Sequence, residues 1–474
     1  MVVESVVDFQ TGAWIILNAI NVLMMQTGFG LLETGSVSTK HSKSVLMKNI
    51  MDTCFGALVW YLCGFGFMTG NGSVIAGEGA AFATDDVDNF SLLFSSYAFA
   101  VTATTIVSGG VVGRILLQYY IGVSVLLNGI VYPVVAHSVW NSNGFLYGKY
   151  IDYAGGVVVH GLGGTVAFVG AWLCGPRHNR FSNFQNTGKN GNRFGIRIES
   201  GVVEIPPSDP SKQWLGTLIL YCSWFSFNAM SAQNNMELSM RACITTLLAS
   251  SSAACTSLLW TRYSLGYYDL SYILNSTLAG LVSITGCAGY VSTHASIVIG
   301  IIGVVVFLGS KYVILYKLRI DDPLESSAIH GCTGIFSAVA TGIFHKEKGL
   351  VAGETDLLLV QLWGTAIIVG FGFGFSLIFF SICKWHGGGT ISVSVDDQIL
   401  GLDFKYHEGY DIQEFGDREF LSENSKMHSV KVIQTRNILR NPTGSHNSVY
   451  PSPVSTENSD ISPKKDENTS PANN

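Results

Sequence analysis

Charge is absent from this chain over long, regularly spaced stretches. No Asp, Glu, Lys or Arg falls within residues 9–32, 53–77, 89–113, 115–148, 153–176, 213–236, 242–261, 270–310, 326–345 or 357–383. Each of these ten runs has at least 20 residues, the length an α-helix needs to cross the hydrocarbon of a bilayer. The run 270–310 holds 41 residues, too many for one helix. Its middle, Gly286-Cys287-Ala288-Gly289 followed by Ser292-Thr293-His294, reads as a turn between two helices. The pattern therefore predicts an all-α integral membrane protein with eleven transmembrane helices, and an odd number puts the termini on opposite sides.

Composition agrees and excludes alternatives. Of 474 residues, 48% are hydrophobic and 13% charged, against about 25% charged in a soluble domain. Mean hydropathy is +0.34. Disordered, collagenous and disulfide-scaffold classes are ruled out, and a large soluble enzyme would need more charge to cover its surface. A net charge of −6 gives no footprint for nucleic acid. The first apolar run is long enough to be a span rather than a cleaved signal. Lys and Arg set the orientation, because they accumulate on the cytoplasmic side. With the N-terminus outside, thirteen fall in inner loops (from Lys40 and Lys43 to Lys317 and Arg319), and four in outer loops (Lys149, Arg241, Lys346, Lys348). The C-terminus is then cytoplasmic. Two sequons, at Asn71 and Asn89, fall in an extracellular loop and are candidate glycosylation sites. The nine Cys show no metal or disulfide spacing and read as small buried hydrophobes. Residues 1–385 form the membrane domain, and 386–474 a cytoplasmic tail. That tail is low in complexity from Asn441, and only 401–410 is dense enough to dock.

Two spans repeat one pattern. Asp152 is followed eight residues later by His160, then Gly161 and Gly164; Asp322 is followed eight residues later by His330, then Gly331 and Gly334. These are the fifth and tenth spans. Five-plus-five helices start on opposite sides of the membrane, so the halves form an inverted repeat, whose binding site belongs near the midplane. Each Asp reads as a cap at its helix start. Each His lies about 12 Å deeper, where an intramembrane histidine usually faces a cavity, and the glycines allow close helix approach. The remaining histidines fall in loops, at span ends or in the tail. Nothing in the pattern supplies a metal site, a cofactor loop or a catalytic triad.

These residues resemble the ammonium transporter (Amt/Mep/Rh) superfamily. The run from Asp152 to Arg177, DYAGGVVVHGLGGTVAFVGAWLCGPR, matches its signature. The form of the first span, Met24 to Gly35 with Gln26, is similar to the plant and animal Amt branch. The likeness covers residues 10–410. It implies pore histidines at His160 and His330, and an outer recruitment site of Phe99, Trp140 and Ser231, with Asp152 supporting it. It also implies a gate of Phe99 and Phe227. Phe227 and Ser231 are four apart, on one helix face, and aromatic faces hold a bare cation. The implied activity is transport of NH4+/NH3, with methylammonium as an analogue, by a homotrimer (or a heterotrimer with paralogues) embedded in lipid at the plasma membrane. A sensor on the same fold is the other function the resemblance allows. The segment Gly401–Tyr410 resembles one that couples neighbouring subunits. Plant members carry a phosphorylated Thr where this chain has Lys405, so that switch is expected to be absent.

Overall fold

The computed structural model describes residues 9–78, 82–83, 90–181, 201–232 and 235–407. Asn89 and residues 408–410 of the docking segment lie outside them, as does the tail that follows. Eleven long helices succeed one another: α1 (Phe9–Ser36), α2 (Thr39–Thr69), α3 (Phe90–Val111), α4 (Leu117–Trp140), α5 (Gly156–Cys174), α6 (Pro210–Met230), α7 (Met236–Ser264), α8 (Leu270–Thr285), α9 (Thr293–Lys317), α10 (Ser327–Phe344) and α11 (Asp356–His386). Among the described residues nine of them are long and apolar enough to cross a membrane; α6 is less apolar and α8 is shorter. The long run 270–310 does break where its turn residues stand, between α8 and α9. Strand structure in the described residues is confined to a two-residue ladder, Asn71–Gly72 against Gly77–Glu78. It follows the end of α2, and Asn71 is exposed on it.

The helix starts are written in the sequence. Asp209 accepts from the amides of Ser211 (3.0 Å) and Lys212 (3.1 Å), with Pro210 opening α6. Asn235, Asp269 and Ser292 cap α7, α8 and α9 in the same way. The outward faces carry exposed Leu17, Leu62, Val305, Leu359 and Ile378, a distribution that suits lipid and not water. Cys54, Cys222 and Cys255 stand on such exposed positions, which corrects the expectation that every cysteine is buried.

Charge-free runs do not mark the helix ends, and here the sequence reading needs a second correction. The run beginning at residue 53 belongs to a helix that starts well before it, so Lys48 and Asp52 lie inside α2 and are buried. Lys48 Nζ pairs with Glu33 Oε2 of α1 at 3.1 Å. Ser108 donates to the other oxygen of Glu33 at 2.5 Å. Asp52 accepts from Tyr120 (3.2 Å) and Ser124 (2.5 Å) of α4. Three ionisable side chains thus sit between α1, α2, α3 and α4, each ion-paired or hydrogen-bonded across helices.

A second ionic cluster ties the ends of α5 and α9. Asp321 accepts a forked pair from Arg177 (2.8 and 2.9 Å) and lies 3.2 Å from Arg180. Burial alone would raise its carboxyl pKa, but the Arg177 hydrogen bonds and the charges of Arg177 and Arg114 hold it well below the usual carboxylate range. The chain after α11 returns to the same face. Val393 donates its amide to the Arg114 carbonyl (2.8 Å), and Asp403 accepts from the amides of Lys43 and Ser44 at 2.8 Å each.

α5 and α10 cross without side chains between them. A Cβ on Gly164 would fall on the backbone nitrogen of Gly331, and one on Gly334 would lie 2.6 Å from both the Gly156 carbonyl oxygen and the Gly161 nitrogen. Gly164→Val is expected to cost about 3 kcal/mol or more, because rigid backbone and not a movable side chain stands in the way. Its yield of monodisperse protein on size exclusion in detergent should collapse. Yield and melting temperature equal to wild type would show that the two helices are not in backbone contact.

Candidate functional site

Both histidines ride on a local widening of the helix. Gly155, at φ +91°, turns the chain after Asp152, and the Asp152 carboxylate accepts from the amides of Gly155 (3.1 Å), Gly156 (2.6 Å), Val157 (2.8 Å) and Val158 (2.8 Å). α5 then opens with a π-type turn over Gly156–Gly161 that carries His160. The second copy repeats this. Asp322 accepts from Ser326 (3.0 Å) and Ser327 (2.7 Å), and a π-type turn over Ser327–Cys332 carries His330. Single wide turns of this kind recur at functional sites. The two aspartates are therefore structural caps in the described geometry, and the Asp152 backbone carbonyl also accepts from Trp140 Nε1 at 2.9 Å.

The glycine crossing brings the rings together. His160 and His330 are both buried, their centroids 5.3 Å apart and their planes 24° from parallel. Their Nδ1 atoms are 3.3 Å apart. Two N–H groups or two lone pairs cannot face each other at that distance, so when both rings are neutral one donates and its partner accepts. The donating ring then has a bare Nε2 and the accepting ring an Nε2–H. Nε2 of His160 is buried and has no hydrogen-bond partner among the described residues.

The aromatic residues continue the pair as a column. Phe99 of α3 and Phe227 of α6 lie 4.2 Å apart between centroids. Trp140 meets Phe99 edge-on at 6.3 Å, and Phe227 stands 5.4 Å from His160. Ser231 is half-buried one turn beyond Phe227, and its hydroxyl donates to the Phe227 carbonyl at 3.3 Å. Phe99, Phe227, Trp140, His160 and His330 are thus brought together ring to ring, while Ser231 joins them through Phe227 and Asp152 through its backbone.

Sequence reasoning missed two members of this column. Trp224 stacks on His160 at 4.8 Å and 13°, held by a 2.9 Å bond from its Nε1 to Thr285 Oγ1. Phe29 of α1 lies 5.9 Å from His330. Trp224 stands three residues before Phe227, so the shared helix face was the available signal; Phe29 had none. Among the described residues no three His, Cys, Asp or Glu side chains are grouped to hold a metal ion.

A bundle of nine to eleven candidate spans enclosing a buried histidine pair is an all-helical membrane protein of the transport kind. The family model for the Ammonium Transporter Family matches residues 13–411, and the chain belongs to that family. Among known proteins it is 32% identical to ammonium transporter 1 member 3 of Solanum lycopersicum, covering 86% of this chain and 94% of that one. It is also 32% identical to ammonium transporter 3 of Dictyostelium discoideum, covering 84% and 93%. Among solved structures it is similar to one titled Sensor Amt Protein, with a TM-score of 0.77 at 27% identity, covering 84% of this chain and 98% of that one. The protein is a transporter and not an enzyme.

Asp152→Ala leaves four buried amides without their acceptor, each costing about 1–3 kcal/mol. The melting temperature of the purified protein should fall clearly, and that of Asp152→Asn, which keeps one oxygen, by less. Identical melting of wild type and the alanine variant would remove the capping role.

Proposed function

We propose that the protein recruits NH4+ from outside the cell at Phe99, Trp140 and Ser231, deprotonates it at the Phe99/Phe227 gate, and conducts NH3 past His160 and His330. The observation that carries this reading is the buried histidine pair lying directly behind two closely packed phenylalanines. A small cation stripped of water is attracted to aromatic faces by about 0.5–2 kcal/mol per ring, and the hydroxyl of Ser231 adds an acceptor. A bare charge at the centre of the membrane costs several kcal/mol, so the proton leaves before the apolar stretch. NH3 both donates and accepts, and the pair presents one bare nitrogen and one N–H. Ammonia therefore exchanges partners along the pair without meeting a charge.

The matching Asp caps, wide turns and histidines of α5 and α10 support a five-plus-five inverted repeat with the site at its centre. The excess of Lys and Arg in alternate loops supports an N-terminus outside and a cytoplasmic C-terminus, with Asn71 and Asn89 on the glycosylated side. The 401–410 segment, whose Asp403 meets the start of α2, is suited to carry signals between subunits of a homotrimer or heterotrimer at the plasma membrane.

Expressed in oocytes or in transport-deficient yeast, the protein should support methylammonium uptake. Replacing His160 and His330 together by Leu removes the only hydrogen-bonding partners the pair offers to NH3, a loss of about 1–3 kcal/mol, or about ten- to a hundredfold in flux. Selectivity against K+ should fall at the same time. Wild-type flux and selectivity in the double variant would sink the pore assignment, and a C-terminal epitope reached by antibody from outside would overturn the orientation.

A further inference from the structure

A second ammonium group is already bound in this protein, and it belongs to the chain. Lys311 Nζ of α9 lies 3.6 Å above the centroid of the Tyr272 ring and 2.6 Å from Glu325 Oε1. The other oxygen of Glu325 accepts from Asn275 Nδ2 at 3.0 Å. Tyr272 and Asn275 are three residues apart on α8, so one helix face presents both. Glu325 is held at φ +59°, a conformation that non-glycine residues seldom adopt and that surrounding structure must enforce. Its amide donates to the Asp322 carbonyl (3.1 Å) and its carbonyl accepts from Ile329 (2.8 Å). That fixes the carboxylate at the head of α10, five residues before His330. The side chains of Lys311 and Glu325 are 15% and 20% exposed, so the cluster is narrow but open.

A pair that only fastens α9 to α10 needs the carboxylate alone. Here the ammonium also sits on a ring face, and the far carboxylate oxygen is pinned by an amide. That set of groups (a π face, a carboxylate and a fixing donor) recognises any primary ammonium ion, since the lysine head and methylammonium share the same C–NH3+ group. We propose that Tyr272, Glu325 and Asn275 form a second ammonium-binding site, at the mouth opposite the Phe99–Trp140 site, and that Lys311 fills it as a tethered ligand. The choice of ligand rests on the transporter reading above. A tethered group competes at a high effective concentration. Ammonium approaching from this side finds its site taken, while NH3 leaving past His330 meets no trap. The lysine therefore raises the ammonium concentration needed to occupy this mouth, while the gradient alone sets the direction of net flux.

The test is chemical rescue. Lys311→Ala, purified in detergent, should melt below wild type, and about 50 mM methylammonium chloride should restore about 2 °C or more relative to equal NaCl. Wild type should gain less, and Lys311→Ala combined with Glu325→Gln should gain no more than wild type. In vesicles, flux of methylammonium from the cytoplasmic side should half-saturate at a severalfold lower concentration in Lys311→Ala than in wild type, and equal half-saturation would count against competition by the lysine. Lys311→Met, which keeps the stem of the side chain, serves if the alanine variant does not fold. Rescue by Na+ or K+ equal to that by methylammonium would overturn the proposal. So would failure of both variants to fold in methylammonium, because the pair would then be purely structural. If wild type moves no methylammonium, the transporter reading falls, and the melting comparison still decides the site.

Discussion

The site depends on one backbone contact. α5 and α10 touch through Gly164 and Gly331, and through Gly334 against Gly156 and Gly161. Inside a bilayer the hydrophobic effect gives helices little reason to associate, so small residues and close van der Waals packing do that work. The same contact sets the spacing of the histidines. Each ring stands one residue before a glycine of the crossing, Gly161 or Gly331, so the two Nδ1 atoms come within 3.3 Å because the backbones do. A single added methyl group at the crossing would part the helices and the pair with them.

That closeness requires each helix to start well inside the protein, with its first amides buried. The Asp152 and Asp322 carboxylates meet this need locally, by accepting several amides each. The wide turns that follow rotate the histidines toward one another. Capping, turn and glycine crossing are one device used twice. Trp140 joins it by donating to the Asp152 carbonyl, which fixes the outer ring of the column to the cap of the inner helix.

Much of this was legible in the sequence, for physical reasons that also explain the gaps. Eleven spans could be counted because lipid forbids charge on most of a helix surface. The twin motif could be read because a cap, a polar ring and a close crossing each need particular residue types at fixed spacing. Trp224 and Phe29 escaped because aromatic residues are common in membrane helices, and only the fold decides which stand against the histidine pair. Lys48, Asp52 and Glu33 escaped for the opposite reason. A charge-free run measures tolerance of lipid, and a charge facing other helices needs only a partner. Glu33 supplies it for Lys48, and Tyr120 and Ser124 supply it for Asp52. Those partners come from other helices, α1 and α4.

The placement of buried charge also bears on what the column can select. Lys48 pairs with Glu33 among α1 to α4, with Asp52 hydrogen-bonded nearby, and Asp321 is held by both Arg177 and Arg180 near the ends of α5 and α9. The carboxylates nearest the histidines are spent on backbone amides. The column from Trp140 to Phe29 is therefore built of aromatic and imidazole rings in contact with one another. A permanent cation such as K+ finds no countercharge there and cannot shed its own. In the proposed mechanism an ion that leaves a proton between Phe99 and Phe227 continues as a neutral molecule, to which the histidine pair offers a donor and an acceptor. Discrimination in that mechanism comes from the chemistry of the ion, with NH4+ and K+ similar in size but different in what they can give up.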